Sequence, residues 1–310
     1  MAASALVPPR PPDTAAEQAV AQQAAPVVSL DLPYVTAGDT AQRLDLFVPG
    51  GTTEPRPLVI FIHGGAWKFG SKSVLGGGSY ERSEALLEML LRNGYAVASV
   101  EYRFSQVARF PAQINDVKAA TRFLRSRAGE FRLDPARFAV AGESAGGQLA
   151  QLLGFTGPAD TDLEGDLGVT GTSSAVSAVV SYYGVSELSK IVPDRLDAGC
   201  RRGEHGAASP EGRLIGGNPE SPSMKSVVDR ANPIAHVGLT SPPTLLLHGT
   251  RDCLVPPAQS RRLYRVLRSY AVDTEYISVD APHGGPVFHT SPAVSTRVLR
   301  FLDRTLHVER

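Results

Sequence analysis

The sequence lacks an excess of charge and lacks long apolar runs, and both absences narrow its possible functions. Its 31 Lys and Arg residues balance 31 Asp and Glu residues, so there is no basic field to attract nucleic acid or an anionic membrane surface. No apolar run approaches the roughly 18 residues that a membrane helix needs, so no membrane span is predicted. A soluble enzyme that takes a small neutral substrate fits this composition best.

Metal-binding and phosphate-binding motifs are also missing. The seven histidines form no His-Glu-x-x-His motif and no clustered pair, so no metal site is predicted. The glycines at 76–78 are not followed by the Gly-Lys-Ser/Thr of a phosphate-binding loop. The chemistry is therefore expected to come from ordinary side chains.

The most informative motif that is present is G-x-S-x-G at residues 142–146. This pattern places a serine on a sharp turn between a strand and a helix. The apolar run at 137–141 precedes it and the helix-favouring residues 148–153 follow it, so the required context is present. Ser144 is the candidate nucleophile. The alternative is a glycine-rich turn whose serine only caps the helix.

A second glycine turn follows the predicted buried strand at 58–62. Small residues let backbone N–H groups approach a ligand oxygen, and acyl transfer needs such donors for the developing oxyanion. We assign these donors to Gly64 and Gly65, with Ala145 adding an N–H group at the positive end of the next helix. An ordinary tight turn is the alternative for this segment. His63 is interpreted as structural.

The candidate acid and base follow two later strands. Asp252 comes after the strand-like residues 244–247, and His283 comes after the strand-like residues 274–279. Loops at the carboxyl ends of strands carry the ligand sites of open α/β sheets. The order Ser144, Asp252, His283 is that of α/β-hydrolases and differs from two protease arrangements. His289 precedes Thr-Ser-Pro at the expected start of the last helix, so we interpret it as part of a capping environment.

Together these motifs resemble those of α/β-hydrolase carboxylesterases of the hormone-sensitive-lipase-like and bacterial feruloyl-esterase-like (BD-FAE type) branch. The resemblance implies a Ser-His-Asp triad, an acyl-enzyme intermediate, a small-molecule ester substrate and no metal or organic cofactor. It favours short-chain or aromatic acyl esters, while the particular ester stays open. The matching segments run in family order between about 31 and 306, at 63–67, 101–103, 115–120, 142–147, 248–252 and 283–285.

The alternation of predicted elements gives an α/β fold. Strands are predicted near 27–35, 42–48, 58–62 and 96–101, with amphipathic helices after the later ones. Strands that alternate with helices imply a mostly parallel sheet covered by helices on both faces, as in the α/β-hydrolase fold. Residues 27–310 are expected to form a single catalytic domain.

The N-terminal residues 1–26 are rich in Ala, Pro and Gln and are expected to be disordered. They lack a charged start followed by an apolar core, so they do not form an intact signal peptide. A cytoplasmic protein and a mature secreted or periplasmic protein are both compatible with this segment, and the oligomeric state is also open.

Residues 185–233 are richer in charge, Pro and Gly, and they are expected to form a partly helical, lid-like insertion or else a plain surface excursion.

Trp67 either lines the substrate pocket or packs in the core, and Tyr183 is a further pocket candidate. Cys200 and Cys253 allow one intramolecular pairing, and a disulfide and two separate thiols are both open.

Two other classes of protein share this architecture. A serine peptidase or amidase of the same fold could use the same triad, and a non-catalytic binding protein could keep the fold alone. A peptidase of this fold is expected to carry a large appended domain, and a binding protein is expected to lack a triad member. All three triad candidates are present, which favours an ester hydrolase.

Overall fold

The computed structural model describes residues 24–36, 40–51, 53–75, 81–157 and 161–308. Most of the predicted N-terminal segment, residues 1–23, lies outside the described residues, as do the glycines at 76–78.

A mostly parallel sheet of eight strands forms the centre of the described chain, as the sequence predicted. The strand order is β1-β2-β4-β3-β5-β6-β7-β8, in which β1 and β4 pair antiparallel to β2 and the other pairs are parallel. The strands are β1 (Val27–Pro33), β2 (Arg43–Val48), β3 (Arg56–Ile62), β4 (Ala96–Val100), β5 (Leu133–Glu143), β6 (Ala178–Tyr182), β7 (Thr244–Gly249) and β8 (Thr274–Val279).

Helices connect most of the strands. The α-helices are α1 (Glu81–Arg92), α2 (Ala112–Ser126), α3 (Ala128–Phe131), α4 (Ala145–Phe155), α5 (Thr161–Glu164), α6 (Ile191–Asp197), α7 (Pro210–Ile215), α8 (Lys225–Ala231), α9 (Ala258–Ser269), α10 (Val287–Thr290) and α11 (Pro292–Thr305). Short 3-10 helices lie at Lys72–Leu75, Leu188–Lys190, Gly206–Ala208, Pro222–Met224 and Pro233–His236.

The sheet is buried on both faces because its strands present apolar side chains alternately to either side. In β3, Leu58 and Ile60 belong to one apolar core, and Val59 and Phe61 belong to the other. The first core includes residues of α2, α4 and α9, and the second includes residues of α1 and α11. This explains why the central strands are nearly continuous apolar runs.

The segment between β6 and β7 carries α6, α7 and α8. Its apolar residues join the first core, among them Leu188, Ile191, Leu214 and Val228. Asp194 on α6 also accepts a hydrogen bond of 2.6 Å from the guanidinium of Arg262 on α9. The segment is therefore packed against the body of the protein along much of its length.

Candidate active site

Ser144 lies on a tight turn between β5 and α4. Its backbone has φ 52° and ψ −115°, a left-handed conformation that costs about 1–3 kcal/mol for a residue with a side chain. The flanking glycines permit the turn, because a Cβ on Gly142 would lie 2.2 Å from the carbonyl oxygen of Gly146, and one on Gly146 would lie 2.1 Å from that of Ile62. The Ser144 side chain makes no capping hydrogen bond, so the capping alternative is wrong.

The structure brings the three triad candidates together. His283 Nε2 lies 2.9 Å from Ser144 Oγ, and His283 Nδ1 lies 2.6 Å from Asp252 Oδ2. The other carboxylate oxygen of Asp252 accepts hydrogen bonds of 2.9 Å from the backbone N–H groups of Leu254 and Val255. The acid is thus fixed by its own loop, and it orients the ring that faces the serine.

A second histidine, His248, supports the buried acid. Its Nε2 lies 3.3 Å from Asp252 Oδ2, and its Nδ1 lies 2.7 Å from Ser260 Oγ. Burial raises the pKa of Asp252, but the hydrogen bonds from His248 and His283 outweigh it and hold the pKa at about 2. Asp252 is therefore ionised wherever a histidine titrates. His248 begins the His-Gly-Thr-Arg-Asp motif, and its place four residues before Asp252 is a sequence signal for this contact.

The glycine turn after β3 lies beside Ser144. A Cβ on Gly64 would lie 3.4 Å from Ser144 Cβ. The carbonyl of His63 accepts a hydrogen bond of 3.1 Å from Tyr102 Oη, and the carbonyl of Gly64 lies 2.7 Å from His63 Nδ1. In a trans peptide unit the C=O and the N–H point in opposite directions. Because the carbonyls of His63 and Gly64 face the rings of Tyr102 and His63, the N–H groups of Gly64 and Gly65 face away from these rings. Ala145 is the first residue of α4, and its N–H has no partner within the helix.

His63 holds this turn in place, which agrees with its interpretation as structural. Its Nε2 lies 3.0 Å from Glu101 Oε1, and its ring stacks on Tyr102 with centroids 4.5 Å apart. Burial raises the pKa of Glu101, but the contact with His63 and the hydrogen bonds from Lys72 and Ser71 together outweigh it, so the pKa lies below its ordinary value. The backbone N–H of Lys72 also donates to this carboxylate at 3.0 Å.

The two pocket candidates differ in their surroundings. Trp67 is 2% exposed and belongs to the first core, where its ring N–H donates to Gln148 Oε1 at 3.1 Å. Of the two roles that the sequence left open, this favours packing. Tyr183 is also buried, and its ring lies edge-on to His283 with centroids 4.9 Å apart.

His289 does not cap the last helix. It lies in α10 and is 5% exposed, and its Nε2 forms a short hydrogen bond with Glu143. Ser291, at the N-terminus of α11, makes no side-chain capping hydrogen bond. The capping interpretation was wrong because local sequence shows where a helix begins and does not show what a neighbouring side chain meets across the fold.

Cys200 and Cys253 form a disulfide, with their Cα atoms 5.6 Å apart. The bridge joins the segment between β6 and β7 to the residue that follows Asp252. Arg195 reinforces the same connection, because its guanidinium donates to the carbonyl oxygen of Leu254 at 2.6 Å. The loop that carries Asp252 is thus tied to the segment between β6 and β7, covalently at Cys200 and by hydrogen bonds from Arg195 on α6.

Reduction of this disulfide is expected to lower thermal stability more than activity. Closing a loop with a sequence separation of 53 is worth about 4 kcal/mol by the chain-entropy estimate. The carboxylate of Asp252 would still be held by backbone N–H groups and His248, so much of the activity should remain. Thermal unfolding and ester hydrolysis with and without reductant measure the two effects.

A double replacement of both cysteines by serine is the matched control and should be insensitive to reductant. Alkylation of the denatured, non-reduced protein should label neither cysteine. Two labelled cysteines in freshly purified protein would contradict the bridge.

The part of the chain that the structure describes contains no group of three or more His, Cys, Asp or Glu residues that could hold a metal ion. Within the same residues, no helix combines the length and the apolar character that a membrane crossing requires.

A mostly parallel sheet that carries a serine on a strand-to-helix elbow defines an α/β-hydrolase when that serine is hydrogen-bonded to a histidine, and the histidine to an aspartate, from later loops. The chain belongs to the BD-FAE family, whose model matches residues 44–267.

Named relatives agree with this assignment. Esterase LipC of Mycobacterium tuberculosis is 34% identical over 236 residues, which cover 74% of this chain and 53% of LipC. The chain spans about half the length of the curated relatives that it matches.

Among solved structures, a truncated carbohydrate esterase from gut microbiota has a TM-score of 0.79 at 28% identity and covers 92% of this chain and 98% of its own. A bifunctional GH43-CE protein of Bacteroides eggerthii also has a TM-score of 0.79, at 30% identity, over 90% of this chain and 35% of its own.

Proposed function

We propose that this chain is a serine carboxylic ester hydrolase that acts through Ser144, His283 and Asp252 and an acyl-enzyme intermediate. The observation that carries the proposal is the pair of hydrogen bonds made by His283, one to the Ser144 hydroxyl at 2.9 Å and one to Asp252 at 2.6 Å. This is the contact pattern that an activated serine nucleophile requires.

In the first half-reaction, His283 Nε2 takes the hydroxyl proton while Ser144 Oγ forms a bond to the ester carbonyl carbon. The carbonyl oxygen gains the negative charge, which the N–H groups of Gly64, Gly65 and Ala145 stabilise. The tetrahedral intermediate then collapses, the bond to the alcohol oxygen breaks, and His283 returns the proton to the leaving alcohol.

In the second half-reaction, water takes the place of the alcohol. His283 removes a proton from water as its oxygen attacks the acyl carbon, and the same proton returns to Ser144 Oγ when the acid is released. Asp252 stays ionised throughout and holds the ring with its proton on Nδ1, which leaves Nε2 free to accept. No cofactor is needed for this cycle.

Short-chain or aromatic acyl esters are the proposed substrates. We take residues 27–310 as one catalytic domain and residues 185–233 as its small lid over the carboxyl edge of the sheet. The helices of this segment are only 7, 6 and 7 residues long, which supports small acyl groups over long lipid chains. Relatives named as carbohydrate esterases support including sugar esters in the test.

A substrate panel tests this function. It should contain p-nitrophenyl esters of increasing chain length, a feruloyl ester, an acetylated sugar and aminoacyl amides. We expect kcat/KM to be highest for a short or aromatic acyl ester and to fall as the acyl chain lengthens. Amides should be poor substrates, because their leaving group is harder to expel.

Two outcomes would contradict the proposal. Amide turnover equal to or above ester turnover would favour the peptidase or amidase alternative. A folded protein that hydrolyses none of these compounds but binds some of them would favour the non-catalytic alternative.

A further inference from the structure

Glu143, the residue before the nucleophile, has a set of contacts that the mechanism above does not use. Its side chain is 17% exposed, its carboxylate forms a short hydrogen bond with His289 Nε2, and the nearby Tyr183 hydroxyl helps to keep the pKa of this carboxylate low. Tyr183 in turn packs edge-on against His283. A second carboxylate therefore lies on the far side of Tyr183 from the base.

The protonation of His289 decides whether a neighbouring positive charge balances the negative charge of Glu143. His289 Nδ1 is buried and has no hydrogen-bond partner among the described residues, while the ring packs against Tyr182 with centroids 5.0 Å apart. Protonating Nδ1 would bury an N–H donor with no acceptor, which is costly. Donation through Nε2 alone, with Nδ1 unprotonated, avoids this cost and would leave the charge of Glu143 uncancelled.

Glu143 itself is ionised in the working range. Burial raises its pKa, but the contact with His289, the contact with Tyr183 and the charge of His283 together outweigh it, so the pKa lies below its ordinary value. Burial, reinforced by the charge of Glu143, raises the pKa of Tyr183 well above its ordinary value, so its hydroxyl remains a donor.

His283 becomes a cation each time it takes the serine or water proton. The groups that face it are Ser144 and Asp252 at its two nitrogens, Tyr183 at its ring, and Glu143 beyond Tyr183. Charges act more strongly across a buried site than across water, so a fixed anion here stabilises the imidazolium.

We propose that Glu143, held by His289 and Tyr183, is a positioning residue for the base, and that its negative charge stabilises the protonated form of His283 in both half-reactions. The inference rests on the proposed function of Ser144 and His283. It assigns to the second residue of the Gly-Glu-Ser-Ala-Gly motif a role of its own, distinct from the shape of the turn.

The test replaces Glu143 with glutamine, which keeps the shape and can still accept from His289 and Tyr183 but removes the charge. Hydrolysis of p-nitrophenyl acetate is followed across pH at a wavelength that does not depend on ionisation of the product. We expect the maximal kcat/KM, on the plateau of the pH profile, to fall about tenfold. The acid limb of the profile, which is the pH range over which activity is lost on acidification, should move about one pH unit lower, because one unit corresponds to a tenfold change.

Two further variants separate charge from structure. Glu164→Gln removes the charge of another partly buried carboxylate, whose partners are Lys118 at 3.0 Å and Arg122 at 2.7 Å on α2, and it should leave the acid limb in place. Glu143→Asp keeps the charge and shortens the side chain, so its acid limb should stay at the wild-type pH even where kcat falls. This variant also serves if Glu143→Gln does not fold.

Two outcomes overturn the inference. In the first, folded Glu143→Gln keeps the acid limb of the wild type. In the second, the acid limb of Glu143→Asp moves about one pH unit lower, as expected for Glu143→Gln. Failure of the underlying function looks different, because a folded Ser144→Ala variant would then keep its activity. Loss of activity in Ser144→Ala together with an unmoved limb in Glu143→Gln overturns the role of Glu143 alone.

Discussion

Replacing Ser144 with alanine is expected to lower ester turnover by about 10⁴ or more while the protein stays folded. The variant loses the nucleophile, and the rate that remains comes from the oxyanion donors and from substrate binding. Alanine keeps the Cβ that the φ 52° turn already accommodates, and the serine side chain makes no capping bond, so stability should change little. The measurements are kcat with a short p-nitrophenyl ester and the thermal unfolding midpoint.

Ser105→Ala is a suitable control for this substitution. Ser105 is a buried serine on the loop after β4, at the same edge of the sheet, and its backbone N–H donates to the Trp67 carbonyl at 2.7 Å. The control should keep wild-type kcat. If folded Ser144→Ala retained more than about a tenth of the wild-type activity, Ser144 would not be the nucleophile.

Much of the fold could be predicted because its signals are local. An apolar run that ends in a glycine turn predicts a buried strand and the edge of the sheet at which that strand ends. Parallel strands bring their carboxyl ends together at one edge. From the sequence alone, this reasoning predicts that Gly64, Ser144, Asp252 and His283 lie at one edge of the sheet. The contacts of His283 and Gly64 with Ser144 lie at that edge.

Strand limits were harder to predict where polar residues interrupt a strand. Strand β5 begins at Leu133, ahead of the apolar run at 137–141, and its register with β3 shifts between the Arg56–Leu133 and Leu58–Phe138 pairs. Asp134 and Pro135 lie in this shifted stretch and resemble a turn in the sequence. Pairing with β3 decides the conformation, and pairing partners are not visible in a local window.

Contacts between distant side chains that belong to no recognised motif could not be predicted. Glu143 and His289 are 146 positions apart, and nothing near either residue indicates the other. Trp67 is a similar case, because its role depends on Gln148 reaching it from α4. Such pairs form only when helices and loops from different parts of the chain pack on the same face of the sheet, so they require the structure.

Replacing His283 with glutamine is expected to lower kcat by about 10⁴, whereas replacing His289 with glutamine should lower it by no more than about tenfold. Only His283 lies within hydrogen-bonding distance of the Ser144 hydroxyl, among the residues that the structure describes. A glutamine at 289 can still donate to Glu143 through its amide and so preserves much of that contact. The measurements are kcat and the unfolding midpoint of both variants.

The pH dependence of the wild type gives an independent test of the same base. A protonated imidazole cannot accept the serine proton, so activity should fall as the pH drops below neutrality, where histidines titrate. Asp252 has a pKa of about 2 in the folded protein against 3.8 ordinarily, so its contribution to stability is complete above about pH 3.8 and is lost only as the pH falls through about 2. The loss of activity should therefore be reversible and should occur with the fold intact. Equal losses in the two histidine variants, or an activity loss that coincides with unfolding, would contradict His283 as the base.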